Sequence, residues 1–170
     1  TKNREALINK KCGIAGLTLF NTKYTGLRPC GEIKTETHEL KDKLHACEKG
    51  TTRSSALALH AFKEAIDDAG LSTQQLSSPH TALVSGSTVG GMCLTDELYH
   101  DANKSESGSE YLSSYDCASV TLYLQLKYRM SGIINTINTA CSSSSNAIMY
   151  GARLLKNGLA KRVIAGGTDS

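Results

Sequence analysis

No run of apolar residues in this chain approaches the roughly 18 that a bilayer-spanning helix needs, which argues against a membrane segment. There is no CxxC pair and no short Cys/His spacing, so the usual grammar of a metal-binding module is missing and no metal is expected. The formal charge is only +3, and the Lys and Arg residues are neither gathered into a block nor interleaved with aromatics, which argues against nucleic acid as a partner. "VSGSTVGG" lacks both the GxGxxG spacing and the GK[ST] ending of nucleotide loops, so Gly86, Gly90 and Gly91 read as glycines for tight turns and close packing. Internal repeats and low-complexity segments are absent as well. "TKNREALINKKCGIAG" carries no signal peptide pattern, so the six cysteines, at 12, 30, 47, 93, 117 and 141, are expected to be reduced in a cytoplasm.

What the chain does contain is the composition of an ordinary soluble α/β protein: 170 residues, 39% hydrophobic and 21% charged. Residues 1–30 read as a short helix followed by mixed strand and loop, "CGEIKTE" as a weakly alternating strand, and 36–50 as an exposed helix or ordered loop. The stripe Leu57, Leu59, Ala61, Phe62, Ala65, Ile66 and Ala69 predicts an amphipathic helix over 52–70, with Gly70 as its stop. "HTALVSGSTVGG" predicts a strand entering a glycine turn, 100–114 a polar surface loop, 116–131 a helix, and "GIINTINTA", 132–140, a β-branched strand suited to a buried central position. A helix over 142–157 closes at Asn157-Gly158, and "RVIAGGTDS" reads as a short strand ending in a glycine turn. Alternation of strand and helix implies an α/β chain with crossover connections, and the alanine- and glycine-rich helices imply burial on more than one side.

Within that pattern one cysteine stands apart. Cys141 falls between the strand and the helix of "INTINTACSSSSNAIMYGARLLKNG", at or just before a helix N-terminus, where unpaired amides and the helix dipole favour the nucleophilic thiolate. The small residues Ser142 to Ser145 permit close approach by other segments and by a substrate, and their hydroxyls are suited to cap the helix. A sharp strand-to-helix turn also presents its nucleophile outward. The other cysteines, Cys12, Cys30, Cys47, Cys93 and Cys117, read as buried packing residues.

"NTACSSSSNAIMYGARLLKNGLAKRVIAGGTDS" resembles the active-site region of the β-ketoacyl-acyl carrier protein synthases, elongating condensing enzymes of the thiolase superfamily. "CGI", "GEIK", "HAFKEAIDDAGL", "VSGSTVGG" and "GIINTINTAC" occur in the order that family shows, so the resemblance covers nearly the whole chain. It implies a thiolase-like fold, a mixed sheet with buried and flanking helices in a layered αβαβα architecture. Residues 1–170 would form its N-terminal part, with the first strand and the C-terminal half outside. By the same resemblance, Cys141 takes an acyl group from acyl carrier protein as a thioester and yields it to the carbanion formed when malonyl-acyl carrier protein loses carbon dioxide. The Cys141 N–H would be one of two oxyanion donors.

The family's two catalytic histidines, supporting lysine and second oxyanion donor fall outside this sequence; His38, His45, His60, His80 and His100 match none of these positions. On its own the chain is expected to be inactive. No cofactor is implied, because the carrier's phosphopantetheine arm arrives with the substrate. The resemblance further implies a homodimer paired through the strand Ile133 to Thr139. It also implies basic residues that meet the acidic carrier protein, for which Lys49 and Arg53 are the candidates. Two other readings share part of this sequence: a non-condensing thiolase-like acyltransferase, and a noncatalytic partner or scaffold subunit.

Overall fold

The computed structural model describes residues 2–104, 106, 108–109 and 111–169. They fall into two compact units, residues 1–40 and 41–170. Among the described residues no helix is long and apolar enough to cross a membrane.

The first unit contains α1 (Lys2–Ile8) and an antiparallel pair, β1 (Ile14–Gly16) and β2 (Pro29–Gly31), in register Ile14 to Gly31. The strand expected in "CGEIKTE" is thus confined to its first residues. Beyond β2 the chain turns its side chains to another use. The Glu32 carboxylate accepts hydrogen bonds from the Thr18 and Leu19 amides, at 3.0 and 2.7 Å, and from Thr18 Oγ1 at 2.8 Å, and it pairs with Lys34. Lys34, followed by those backbone and hydroxyl donors, outweighs desolvation and lowers the Glu32 pKa to about 2. Because the folded pKa lies below the unfolded one, this clamp contributes stability above about pH 4 and loses it as pH falls toward 2. Amide exchange at Thr18 and Leu19, corrected for intrinsic rates, should therefore accelerate over that window; unchanged protection would show that the clamp does not hold the hairpin.

Helix α2 (Thr37–Leu44) leads into the second unit, whose centre is a three-stranded parallel sheet in the order β4-β3-β5. Helix α3 (Arg53–Asp68) forms as expected, with the Thr52 side chain accepting from the Ser55 amide as N-cap and Gly70 at φ +62°, but its buried face is narrower than the expected stripe: Leu59, Phe62 and Ile66 are buried together with Ala56, Leu57 is half-buried, and Ala61, Ala65 and Ala69 are exposed. A short α4 (Thr73–Leu76) precedes β3 (Thr81–Gly86), all six residues of which are buried. Period-two alternation along β3 divides the core. Leu83 packs with Leu59, Phe62, Ile66 and Leu124, while Ala82 and Val84 pack with Ala147 and Leu154 on the opposite face.

Helices α5 (Thr95–Ala102), α6 (Leu112–Tyr115) and α7 (Ser119–Tyr128) connect β3 to β4 (Ile134–Ile137). The surface loop expected over 100–114 is therefore partly helical at both ends; Ser105, Ser107 and Glu110 lie outside the described residues. Strand β4 then crosses through α8 (Ser143–Lys156) to β5 (Arg162–Gly167) on the far side of β3.

Of the strand expected over 132–140, β4 covers four half-buried residues at one edge of this three-stranded sheet, beside the fully buried β3. One expectation needs correction. Alanine and glycine in α8 do not mark burial on several sides here. They let one face, Ser143, Ala147, Gly151 and Leu154, approach the sheet, while Ile148, Met149 and Leu155 on the other are exposed. The contact is close enough that a Cβ at Gly151 would lie 2.8 Å from Val163 Cγ1.

Candidate active site

The register pairs Gly86 of β3 with Ile137 of β4 and with Gly167 of β5, so the carboxyl ends of all three strands meet along one edge. The chain leaves β3 toward one neighbour and reaches the other only after a crossover, which makes this edge a topological switch point, where open α/β sheets place ligands. Cys141 lies just beyond that edge.

Residues 138–142 must take the chain off β4 and onto α8. They do so with Ala140 at φ +52°, a left-handed conformation that a residue with a Cβ seldom adopts. A 3-10 turn, Ala140–Ser142, follows, and Cys141 stands at its middle, exposed. Side chains tie this turn together. Ser143 Oγ accepts from the Thr139 amide at 2.9 Å and donates to the Ala140 carbonyl at 2.7 Å. Ser142 Oγ donates to the Thr139 carbonyl at 2.8 Å, and Asn146 Nδ2 donates to Thr139 Oγ1 at 2.8 Å.

The serines thus do something other than expected: among the described residues no side chain caps α8, because the hydroxyls of Ser142 and Ser143 satisfy the strained turn behind them. The first amide of this 14-residue helix, that of Ser143, donates to the Ala140 carbonyl, so backbone as well as side chains hold the turn that bears Cys141.

Glycine makes the placement possible. A Cβ on Gly86 would lie 2.6 Å from the Ser143 carbonyl carbon and the Ser144 nitrogen, and one on Gly167 would lie 2.3 Å from Ser144 Oγ. Gly90, at φ +58°, and Gly91 approach the Asp116 and Ser114 carbonyls just as closely, so the glycine turn serves close packing as its sequence suggested.

Asp169 is a further residue of this edge, and its visible mark in the sequence is an acid two residues after a Gly-Gly strand end. Its Oδ1 accepts from Ser87 Oγ at 2.9 Å, the Thr88 amide at 2.9 Å and the Val89 amide at 3.1 Å. Burial works to raise its pKa, but the Val89 and Thr88 amides and the Ser87 hydroxyl outweigh it and hold the carboxyl below its ordinary range.

The edge thus carries a small-residue switch point with an exposed thiol on a strained strand-to-helix turn. Residues 7–170 match the family described as "Beta-ketoacyl synthase, N-terminal domain". The chain belongs to this family. It is 26% identical, over 98% of its own length and 40% of the relative's, to 3-oxoacyl-[acyl-carrier-protein] synthase 2 of Synechocystis sp.. It is 27% identical, over 69% of its length and 30% of the relative's, to the tetracenomycin polyketide synthase ketoacyl synthase alpha subunit of Streptomyces glaucescens. The ishigamide ketosynthase/chain length factor superposes with a TM-score of 0.78 at 22% identity, over 98% of this chain and 42% of that one. The ketosynthase of module 6 of the bacillaene synthase from Bacillus subtilis 168 gives 0.69 at 15%, over 99% and 28%. The β-ketoacyl synthase fold is therefore shown, and the chain spans about two fifths of the first of these relatives.

The remaining sites expected for a β-ketoacyl synthase fall as follows. Lys49 is exposed in the loop before α3, with its Nζ 5.4 Å from the centroid of the Tyr111 ring, and Arg53 is the first residue of α3. Both border the segment whose Gly50 carbonyl accepts from Ser114 Oγ at 2.6 Å, and Ser114 is the residue against which Gly91 packs. That chain of contacts links the loop to the glycine turn at the switch point. Lys49 also lines a cavity of about 480 Å³ together with Leu122, Tyr123 and Leu126.

Of the five cysteines expected to be buried, Cys12, Cys47 and Cys93 are exposed and Cys30 and Cys117 only half-buried. They occupy loops, the short strand β2 and a 3-10 turn rather than the two clusters of the core, which are built from aliphatic and aromatic residues, alanine and Met130. The thiol of Cys47 donates to Asp42 Oδ1 at 3.2 Å, which pushes its pKa up, and burial does the same for Cys93. His38, His45, His80 and His100 are exposed and His60 is half-buried.

Proposed function

We propose that this chain is the N-terminal, acyl-accepting part of a 3-oxoacyl-[acyl-carrier-protein] synthase, with Cys141 as the acceptor. The observation that carries this reading is the exposed Cys141 thiol on the strained turn at the switch point. The Cys141 sulfur attacks the thioester carbonyl of an acyl carrier, the carbonyl oxygen takes the negative charge, and collapse expels the carrier's thiol, leaving the acyl group on Cys141. The Cys141 N–H, in the turn before α8, would be one of the donors that stabilise that oxyanion. The second partner, a malonyl carrier, loses carbon dioxide; its carbanion attacks the Cys141 thioester, and the thiolate leaves as the 3-oxoacyl product forms. Groups for that second half-reaction belong to the larger protein, of which residues 1–170 would be the N-terminal part.

The deciding experiment is intact mass and peptide mapping of the complete protein after incubation with an acyl-carrier thioester. An acyl adduct on Cys141 supports the reading. An adduct elsewhere makes another residue the acceptor, and no adduct at all removes Cys141 from this role and returns the protein to the scaffold or partner-subunit reading.

The open outer side of β4 among the described residues supports a homodimer in which Ile133 to Thr139 pairs with a second copy, and six free cysteines support a reducing, cytoplasmic setting. Carrier protein would dock on Lys49 and Arg53. Reversing both charges, Lys49→Glu with Arg53→Glu, should weaken carrier binding about tenfold at low ionic strength and less as salt is added. Equal affinity at low salt would place the docking surface elsewhere.

A further inference from the structure

We infer that Asp169 is a positioning residue for Cys141: by anchoring the turn after β3 it holds Thr88 against the Ala140 carbonyl and keeps the thiol-bearing turn in one conformation. The anchor is built from a single short side chain. Oδ1 collects the Ser87 hydroxyl and the Thr88 and Val89 amides, and Oδ2 lies 3.0 Å from the Thr88 amide. Ser87 is fully buried, and its Oγ accepts in turn from the Gly90 amide at 3.3 Å, so the carboxylate organises the whole of residues 87–90.

Two contacts carry that order to Cys141. Thr88 Oγ1 reaches the Ala140 carbonyl at 3.5 Å, a long contact but one made to the residue in the left-handed conformation. Ser143 Oγ holds the same carbonyl from the helix side, so Ala140 is gripped between the β3 turn and α8. The second contact is packing: the Thr168 amide donates to the Gly86 carbonyl at 3.1 Å, and Gly86 and Gly167 meet the backbone and side chain of Ser143 and Ser144. Asp169 therefore extends β5 past its last strand residue and wraps the end of β3. A left-handed alanine persists only where its surroundings over-determine it, and these contacts are those surroundings.

This inference rests on the acyl-acceptor reading of Cys141, and its test separates the two. In the complete protein, hydrogen exchange of residues 86–91 and 139–146 is compared for wild type, Asp169→Ala, Asp169→Asn and Thr88→Val, alongside the rate of acyl transfer to Cys141 well below each variant's melting temperature. Asp169→Ala should lose protection in both segments and slow acyl transfer by about 10- to 100-fold, with little change in KM for the acyl carrier. Asp169→Asn, which keeps the Oδ1 acceptor, should recover most of both. Thr88→Val, which leaves the Asp169 hydrogen bonds to the backbone in place, should loosen 139–146 and spare 86–91; it decides the matter if Asp169→Ala does not fold.

Loss confined to 86–91, wild-type acyl transfer in Asp169→Ala, or no recovery in Asp169→Asn would each overturn the positioning role. A wild-type protein that takes no acyl group would remove the functional reading, and the exchange data would still decide whether Asp169 orders the Cys141 turn.

Discussion

Cys141→Ala in the complete protein is expected to abolish acyl capture while leaving stability within about 0.5 kcal/mol of wild type, because the side chain is exposed and packs against no core cluster. Loss of activity and retention of fold must occur together for the proposed role. Acyl transfer needs a nucleophile within bonding reach of the thioester, and alanine offers none, so the expected mass adduct is zero rather than reduced. Competing thiols sharpen the measurement. Cys47, hydrogen-bonded to Asp42, and Cys93, desolvated, are both held further toward the protonated thiol, so neither should compete for the acyl group. Mapped labelling of wild type should report Cys141 alone, and a persistent adduct in the alanine variant would mean that another cysteine is the acceptor.

Gly86→Ala should strike both stability and acyl capture. Its Cβ would sit 2.6 Å from two backbone atoms of Ser143 and Ser144, and no side-chain rotation can relieve a contact with backbone. The start of α8 must move away from the sheet, or β3 must part from β4 and β5, with which Gly86 is in register at Ile137 and Gly167. Overpacking of this kind costs about 3 kcal/mol, which for a chain of this size lowers the melting temperature by roughly 6–12 °C. Displacing α8 by even part of an ångström also displaces Cys141, and a misplacement near 1 Å lowers acyl transfer on the order of 100-fold. Gly13→Ala is the control: no atom lies within 4 Å of its added Cβ, and the change should be nearly silent. Should Gly86→Ala prove equally silent, α8 cannot pack against the sheet as closely as described.

The features legible in the sequence were those encoded by neighbouring residues. The stripe from Leu57 to Ala69 with Gly70 behind it located α3, and "GIINTINTAC" followed by a helical pattern located the turn that bears Cys141. Periodicity and turn chemistry act over a few residues, so they survive in one dimension. The resemblance to the condensing enzymes rested on the same local motifs in order, and the family match over residues 7–170 agrees with it.

Surroundings are not written in neighbouring residues. Residue type predicts burial for the five other cysteines, but it is silent on which face a segment presents, and three of them are exposed. Adjacency makes the serines after Cys141 read as helix caps; in the fold the hydroxyls of Ser142 and Ser143 turn back to Thr139 and Ala140. Strand order is equally invisible in composition: the β-branched β4 lies at the edge of the three-stranded sheet and β3 at its centre, because order is set by which segments pair.

By itself, then, the amino-acid sequence determined the α/β pattern, the helix and strand bounding Cys141, and the family, because each is written in short-range periodicity and contiguous motifs. Only the tertiary structure decided that Gly86, Ser143, Gly167 and Asp169 gather at the strand edge beside the turn that bears that cysteine. Those residues lie up to 83 positions apart, from 86 to 169, and parallel strand register, which depends on how buried faces on different segments fit together, is what brings them into contact.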